Sequence, residues 1–502
     1  MSGFKIGWGR REFSLNEKVS INGQAYMRIS EGVMDPLYAT ALCLESNEGV
    51  VIFCSLDITS VRHGLYEEIL DEIKVSFPAV PVEHVILNAT HSHTAPDLRN
   101  VPEKSPDGVP IYPRDKVHKF ISSRVAQAVN EAWENRKSGG IAYGYGYAVA
   151  AHSRRSTYLI DKGVADPLSA APNGTTVMYG KTNDPDFAGY EAGADHFLNA
   201  MYTFDAENKL TGIIVNVPCP SQIAAQLSML SADYWYEVRE IIAKKFGKDV
   251  FVLPQCAAAG DLAPKILHYK AAQKRRFALK YGIEYDSKKL RERGEDYLKK
   301  VTAERKDIAE RITNAVEEIY SWAKKDIMTD VVVCHEFIDT NLTKRQITEK
   351  EVENCENNLK AMEKLIPDKG SSTPEEYRVA ITRYKTVKSK NENAISKYND
   401  LKVNLYFPAR LHAVRVGDIA FCTNKFELYM DFMHRIQARS PFIQTFVVQL
   451  AGEDSGSYLP TKCATEGKGY GASIFCNKVG PEGGAQLVEA TLNMLNDLKF
   501  KE

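Results

Sequence analysis

The sequence predicts a layered α/β fold, with mixed β-sheets flanked by helices and a helical, coiled-coil-like insertion. Three observations predict it. Short apolar runs rich in β-branched residues alternate with helical segments through the first half of the chain. Charged segments with three- and four-residue apolar spacing follow, and the C-terminal part returns to the first pattern. We therefore expect a catalytic α/β domain built from 1–264 and 403–502, interrupted by an insertion at 265–402.

Each element follows from its local pattern. Strands are predicted at 50–57, 82–89, 212–217 and 249–253, and helices at 65–73 and 117–133. Within 265–402, three apolar stripes predict helices around 298–319, 352–366 and 377–398, with a turn at 367–372. Strand-like runs near 330–338 and at 411–414 lie on either side of the last two helices, and a final amphipathic helix is predicted at 485–498.

Composition excludes several classes of protein. Lys and Arg number 64 against 65 Asp and Glu, a net charge of −1, so binding of nucleic acid through bulk charge is not expected. No apolar run approaches the ~18 residues of a membrane span, and the first residues show no secretory leader. The nine cysteines form no C-x-x-C pair, which argues against a zinc ribbon. The compartment stays open between the cytoplasm and export with a leader removed.

The most informative segment places His91 and His93 two residues apart, just after an apolar strand. In extended backbone this spacing puts both imidazoles on one face, where they can share a metal or divide into ligand and acid/base. Two solvated loop histidines are the alternative. The position at a strand end favours a site, because catalytic groups of α/β folds gather there.

The wider pattern resembles the neutral ceramidase family, zinc amidases that cleave N-acyl sphingosine. Residues 88–96 (N-A-T-H-S-H-T-A-P) are similar to that family's A-T-H-T-H-S-G-P segment. Further similar segments follow in the family's order along nearly the whole chain: 6–10, 35–39 with 54–57, 153–156, 260–264, 426–427 and 458–461. The resemblance implies a hydrolase in which metal-bound water attacks an amide or ester carbonyl.

The resemblance also implies a ligand set for one Zn²⁺ ion. His91 would be a zinc ligand, Glu427 a carboxylate ligand and Tyr458 a phenolate ligand. The family's further zinc-binding histidine, in a V-H-P-T segment, has no counterpart here, and Cys219 lies closest. A cysteine thiolate is a competent zinc ligand, and a small buried residue beside two prolines is the alternative.

The remaining roles are implied in the same way. His93 would be the acid/base or orient a ligand, and Tyr470 would donate a hydrogen bond to the reacting carbonyl. Arg155, or Arg154, would hold the substrate oxygen. Ala263 stands where the family has serine, which excludes a serine nucleophile at this position.

Three acidic residues have open assignments. Asp57 could orient His91 or cap a helix, Asp261 could bind substrate or form a turn, and Glu453 could contact a polar substrate.

The substrate is expected to be a small molecule or a lipid or glycan conjugate. Ceramide itself is not favoured, and an acylated sugar or amino-sugar conjugate is considered instead. An inactive ligand-binding homologue and a metal-dependent glycan-active enzyme are the alternatives. The helical insertion predicts association of copies into a homo-oligomer.

Overall fold

Two stacked β-sheets, covered by helices on their outer faces, form the core of the chain. The computed structural model describes residues 3–62, 64–163, 166–169 and 173–500; Met1 and Ser2, part of the segment searched for a leader, lie outside them. The strands are β1 (Lys5–Glu12), β2 (Ser20–Ile21), β3 (Arg28–Ile29), β4 (Tyr38–Glu45), β5 (Val50–Leu56), β6 (Val85–Ala89), β7 (Lys137–Tyr147), β8 (His152–Ser153), β9 (Arg155–Tyr158), β10 (Thr176–Met178), β11 (Phe187–Tyr190), β12 (Phe197–Asp205), β13 (Leu210–Val217), β14 (Phe251–Cys256), β15 (Leu262–Ala263), β16 (Val333–Thr343), β17 (Tyr406–Val416), β18 (Ile419–Thr423), β19 (Glu427–Leu428), β20 (Gln444–Val448) and β21 (Tyr458–Leu459). The helices are α1 (Leu65–Ser76), α2 (Arg114–Glu134), α3 (Tyr234–Phe246), α4 (Lys270–Tyr281), α5 (Glu295–Ala323), α6 (Glu349–Met362), α7 (Pro374–Leu401), α8 (Met430–Arg439), α9 (Lys462–Gly467) and α10 (Pro481–Phe500).

Both sheets are mixed, which confirms the predicted fold class. The larger sheet has the strand order β14-β13-β12-β7-β1-β4-β5-β6, and the smaller one β16-β17-β18-β20. Neighbouring strands are antiparallel except for the pairs β13/β14, β5/β6 and β18/β20, which are parallel. In the described residues no helix is long and apolar enough to cross a lipid bilayer.

Side-chain alternation along β4 shows how the layers are built. Leu42 and Leu44 face the smaller sheet, whereas Ala41 and Cys43 face the covering helices. This is the two-residue period of a strand that is buried on both faces. The rings of Phe53 and Phe421, one from each sheet, lie 4.9 Å apart in the layer between the sheets.

Three histidines connect the edge of the larger sheet with the smaller sheet. His84 Nδ1 lies 3.0 Å from His335 Nδ1, and His335 Nε2 lies 2.9 Å from His412 Nδ1. Burial, reinforced by the neighbouring histidines, lowers the pKa of His335 to about 3. Burial and the nearby Arg410 lower the pKa of His412 to about 4. Neutral imidazoles are therefore part of the packing between these layers.

The predicted helical segment has two structural parts. Helix α5 packs against α3, β7 and β12 as one of the helices covering the larger sheet. Helices α6 and α7 pack on each other and connect β16 to β17, which pair along their full lengths. Whether 265–402 is a separable unit, and whether copies associate through it, stay predictions.

Candidate functional site

His91 follows β6 and has an unusual backbone conformation. Its φ of 64° lies in the left-handed region, which non-glycine residues seldom adopt and which is frequent at functional sites. Its Nδ1–H donates to the Thr59 carbonyl oxygen at 2.8 Å. Because Nδ1 carries the proton, the lone pair of Nε2 is directed into the site.

Glu427 and Tyr458 come together through a short parallel strand pair. Strands β19 and β21 place these two residues directly opposite each other. Gly260 packs against the Glu427 backbone, where a Cβ would lie 2.3 Å from the Glu427 carbonyl oxygen. The loop that contains Gly260 therefore needs glycine at this position.

The distances around His91 Nε2 match those between ligands of one ion. His91 Nε2 lies 3.3 Å from Glu427 Oε2 and 3.3 Å from His93 Nε2. Two ligands of a tetrahedral ion, each about 2.0–2.1 Å from it, are separated by about 3.3 Å. No three His, Cys, Asp or Glu side chains of the described residues form a group that could hold a metal. The Tyr458 phenol would be a third protein donor beside His91 and Glu427, because the pairing of β19 with β21 sets Tyr458 opposite Glu427.

Arg154 lies beside these donors. Its Nη2 donates to the Tyr458 hydroxyl at 3.1 Å and to the Gly260 carbonyl at 2.7 Å, and lies 4.0 Å from Glu427 Oε2. Burial opposes ionisation of Glu427, but His91 and Arg154 outweigh it and lower the pKa of that carboxyl. Glu427 is therefore a carboxylate at neutral pH.

Arg155 faces away from the site. It forms a bidentate ion pair with Glu191, at 2.8 and 2.7 Å, and donates to the carbonyls of Ala464 and Lys468 at 3.1 and 2.7 Å. These contacts hold the loop after α9. The structure thus places Arg154, and not Arg155, beside Glu427 and Tyr458.

His93 lies at the wall of the larger cavity, next to Gln222. The Gln222 side-chain amide lies 3.0 Å from His93 Nε2. Burial, followed by the neighbouring His91, lowers the pKa of His93 well below its usual value. Gly23, at φ 99°, makes room for the ring, because a Cβ there would lie 2.5 Å from it. His93 is therefore a neutral, fixed imidazole.

The site opens into two cavities of about 530 and 780 Å³, and Tyr458 and Tyr470 line both. The two rings lie 5.8 Å apart, nearly perpendicular to each other. Burial raises the pKa of Tyr458 well above its usual value, with Glu427 adding to the shift. Cys476 and burial raise the pKa of Tyr470. Both phenols are protonated and able to donate.

Cys219 is not brought to the cluster. Its thiol is fully buried and lies 3.4 Å from the Ala150 carbonyl oxygen. Burial raises the pKa of this thiol well above its usual value. Since it forms no metal-binding group with His91 and Glu427, the structure gives Cys219 the surroundings of a packed thiol.

Asp57 and Asp261 have structural partners. Asp57 forms a buried bidentate ion pair with Arg239, at 2.7 and 3.1 Å, so its carboxylate does not orient His91. Asp261 accepts from the backbone N–H of Met430 at 3.1 Å, at the start of α8. Burial raises the pKa of Asp261 to about 6.

Glu453 and Ala263 lie outside the two cavities. Glu453 is exposed and its carboxylate is 3.7 Å from Lys425. Ala263 is fully buried and pairs with His152 between β15 and β8. The neighbouring Asp454, rather than Glu453, lines the smaller cavity.

Comparison with known structures identifies the architecture. The chain matches the neutral ceramidase of Pseudomonas aeruginosa with a TM-score of 0.64 at 16% identity, covering 99% of this chain and 75% of that one. A second structure, a ceramidase complexed with C2, matches with the same TM-score and identity over 99% of this chain and 76% of that one. The chain has the neutral ceramidase fold. No protein-family profile and no curated protein matches the chain. The two structural matches confirm, for the fold, the resemblance that the sequence motifs carry.

Many residues of the cavity walls could not be predicted from the sequence, among them Gln222, Arg62, Lys265 and Lys390. Gln222 ends the stretch that lacks the family's histidine, and nothing in that stretch marks the glutamine as a site residue. Arg62 and Lys265 are single charged residues in loops, and Lys390 is one of many lysines in α7. No local pattern distinguishes them, because their role comes from the elements that surround them.

Proposed function

We propose that this ceramidase-like chain is a hydrolase that cleaves an amide or ester bond with the help of one zinc ion. The observation that carries the proposal is the convergence of the His91 imidazole, the Glu427 carboxylate and the Tyr458 phenol, with 3.3 Å between His91 Nε2 and Glu427 Oε2. The ceramidase fold supports a hydrolase of this kind.

The donor set fits zinc. One imidazole nitrogen, one carboxylate oxygen and one phenol oxygen make three protein donors, the number usual at catalytic zinc sites. The Thr59 carbonyl fixes the His91 tautomer, as outer partners of metal ligands do. When bound, zinc would polarise the substrate carbonyl and lower the pKa of a coordinated water.

His93 is the residue that transfers protons in the proposed reaction. It is neutral, it faces the larger cavity, and its Nε2 lies 3.3 Å from His91 Nε2. A neutral imidazole can take a proton from the attacking water and return it to the leaving amine or alcohol. Gln222 and Gly23 hold the ring in place for both steps.

Charge that develops on the carbonyl oxygen has fixed donors. Arg154 and the phenol of Tyr470 line the larger cavity beside Tyr458, and Lys265 lies in the same wall. Cations and hydroxyl groups preorganised around an oxyanion lower the barrier of acyl transfer.

The cavity walls favour a polar substrate over a long lipid. Of the described residues, four glutamines line the larger cavity: Gln24, Gln222, Gln226 and Gln273. Side-chain amides bind hydroxyl and amide groups, which supports an acylated sugar or amino-sugar conjugate as the substrate class.

The test combines metal analysis with a substrate screen. Purified protein is analysed for bound metal by mass spectrometry and assayed on panels of N-acyl and O-acyl substrates. We expect His91→Ala and Glu427→Gln to lose both zinc and hydrolysis, and a chelator to remove activity that added zinc restores. The matched control is His434→Ala, an exposed histidine paired with Asp195 outside the cavities. Full activity of His91→Ala or of chelated protein would refute the proposal.

A second candidate, a binding protein without turnover, is favoured by one observation. Arg154 already places a positive charge 3.1 Å from the Tyr458 hydroxyl, so this donor has a cationic partner without any metal. Tight ligand binding by metal-free protein, with no product formed from any panel member, would support this function over hydrolysis.

A further inference from the structure

We infer that the substrate of the proposed reaction carries an anionic group, a carboxylate or a phosphate, which binds in the smaller cavity between α7 and the loop before β21. This inference rests on the proposed function, because it concerns the same site. It extends the proposed function by specifying that the substrate is negatively charged.

Among the residues that the structure describes, the wall of the smaller cavity has four cations and two carboxylates. The cations are Arg62, Lys390, Lys397 and Lys478, and the carboxylates are Glu427 and Asp454.

Both carboxylates already have partners. Asp454 pairs with Lys478 at 2.9 Å, and Glu427 contacts His91 at 3.3 Å with Arg154 at 4.0 Å. Among the described residues, the other three cations of this cavity form no ion pair, and Arg62 is close enough to Asp454 only to help lower the pKa of that carboxyl.

In the described parts of the chain, no carboxylate lies within 4.0 Å of Arg62, Lys390 or Lys397. Lys397 donates to the carbonyls of Ile474 and Asn477, at 2.9 and 3.2 Å, so its ammonium group joins α7 to the segment that precedes α10. Arg62 and Lys390 are left as the two cations that can receive an anion.

Arg62 is held in position by its surroundings. Its Nε donates to the Ser455 carbonyl at 2.5 Å, and its guanidinium passes directly over Gly456. A Cβ at Gly456 would lie 1.4 Å from Arg62 Nη2, so the guanidinium can occupy this position only because residue 456 is glycine. A fixed guanidinium is suited to carboxylates and phosphates.

Lys390 faces the reacting groups. It lies over the Tyr470 ring, 4.6 Å from its centroid, and its Nζ is 3.4 Å from the Tyr470 hydroxyl. Asn393 and Lys397, three and seven residues further along α7, line the same cavity, as expected for one helix face. An anion bound here would lie next to the catalytic phenols.

Binding of small probes tests the inference without requiring turnover. The probes are N-acetylglycine, its neutral partner N-acetylglycinamide, and inorganic phosphate, measured by calorimetry at two salt concentrations. We expect N-acetylglycine or phosphate to bind at least about tenfold more tightly than N-acetylglycinamide, with the preference weakened by salt.

Variants locate the bound anion. Lys390→Gln and Arg62→Gln should each abolish most of the preference, and Lys390→Arg should retain it. The matched control is Lys385→Gln, an exposed lysine of the same helix outside the cavity. Equal binding of the charged and neutral probes, or a preference unchanged in both Lys390→Gln and Arg62→Gln, would overturn the inference.

The two proposals fail separately. If the anions bind through Lys390 but no acyl substrate is hydrolysed, the anion site stands and the hydrolase proposal falls. If acyl substrates are hydrolysed with kcat/KM equal for matched anionic and neutral compounds, the hydrolase proposal stands and the anion site falls.

Discussion

The two adjacent arginines provide a sharp test, because both are buried but only Arg154 contacts the cluster of His91, Glu427 and Tyr458. Arg154 contacts Tyr458 and lies near Glu427, whereas Arg155 is buried in a bidentate pair with Glu191. We predict that Arg154→Met mainly lowers activity and that Arg155→Met mainly lowers stability.

The expected size of each effect follows from these contacts. Arg155→Met leaves the Glu191 carboxylate buried without its partner, since the two side chains are only 1% and 6% exposed. Loss of one member of a buried pair costs about 3–5 kcal/mol of unfolding free energy. Arg154→Met removes a donor from the proposed reacting centre, which typically lowers kcat by about 10²–10³-fold. Its cost in stability should be smaller, because Glu427 lies 4.0 Å from Arg154 and keeps His91 at 3.3 Å.

The assay measures thermal unfolding and initial rates for both variants on the same substrate. The double variant Arg155→Met with Glu191→Leu serves as a matched control, because replacing both members of a buried pair by apolar residues recovers most of the stability. We expect near-normal kcat once Arg155 variants are folded. Loss of activity by Arg155→Met at an unchanged melting temperature, or normal kcat in Arg154→Met, would refute this division of roles.

Three further predictions concern other parts of the molecule. Because folding lowers the pKa of His335 from 6.5 to about 3, the unfolded chain binds a proton below pH 6.5 that the folded chain does not bind, and the wild-type protein loses stability as the pH falls. His335→Gln should reduce the loss of unfolding free energy between pH 7 and pH 5 by about 2 kcal/mol. Equal losses for both proteins in denaturant titrations would contradict this. Cys219→Ala should keep its zinc content and activity, because the thiol contacts a carbonyl and no cluster residue, and metal analysis showing a loss of zinc would make Cys219 a ligand after all. Gly456→Ala should cost about 1–3 kcal/mol of unfolding free energy through backbone strain, and it should also weaken binding of N-acetylglycine by displacing Arg62. Gly452→Ala is the control, because Gly452 has φ 87° and no neighbour within 4 Å, so thermal unfolding and calorimetry should show the strain alone. Equal N-acetylglycine affinity in the two variants would argue against the role of Arg62.

Elements with strong local patterns were predictable from the sequence. The strand at 50–57 is β5, the helix at 117–133 is α2, and the three apolar stripes between 298 and 398 are α5, α6 and α7. Their signals depend on neighbours within one or two turns, which the sequence displays directly.

Strand β7 shows where this reasoning fails. Its sequence K-S-G-G-I-A-Y-G-Y-G-Y is rich in glycine, which disfavours a strand by local preference. The glycines let α5 approach closely, since a Cβ at Gly144 would lie 2.2 Å from the Trp322 ring. A contact between distant segments therefore explains a residue that looks unfavourable locally.

The layered α/β class and the pair of histidines after β6 could be predicted without coordinates, because a strand, its end and a His-x-His spacing are all local properties. Three relations became visible in the folded chain alone: Glu427 lies beside Tyr458, Arg154 rather than Arg155 faces them, and lysines of α7 line the cavity. These relations depend on which faces of distant elements pack together. Burial and strand pairing across the whole chain fix that choice, and no short stretch of sequence encodes it.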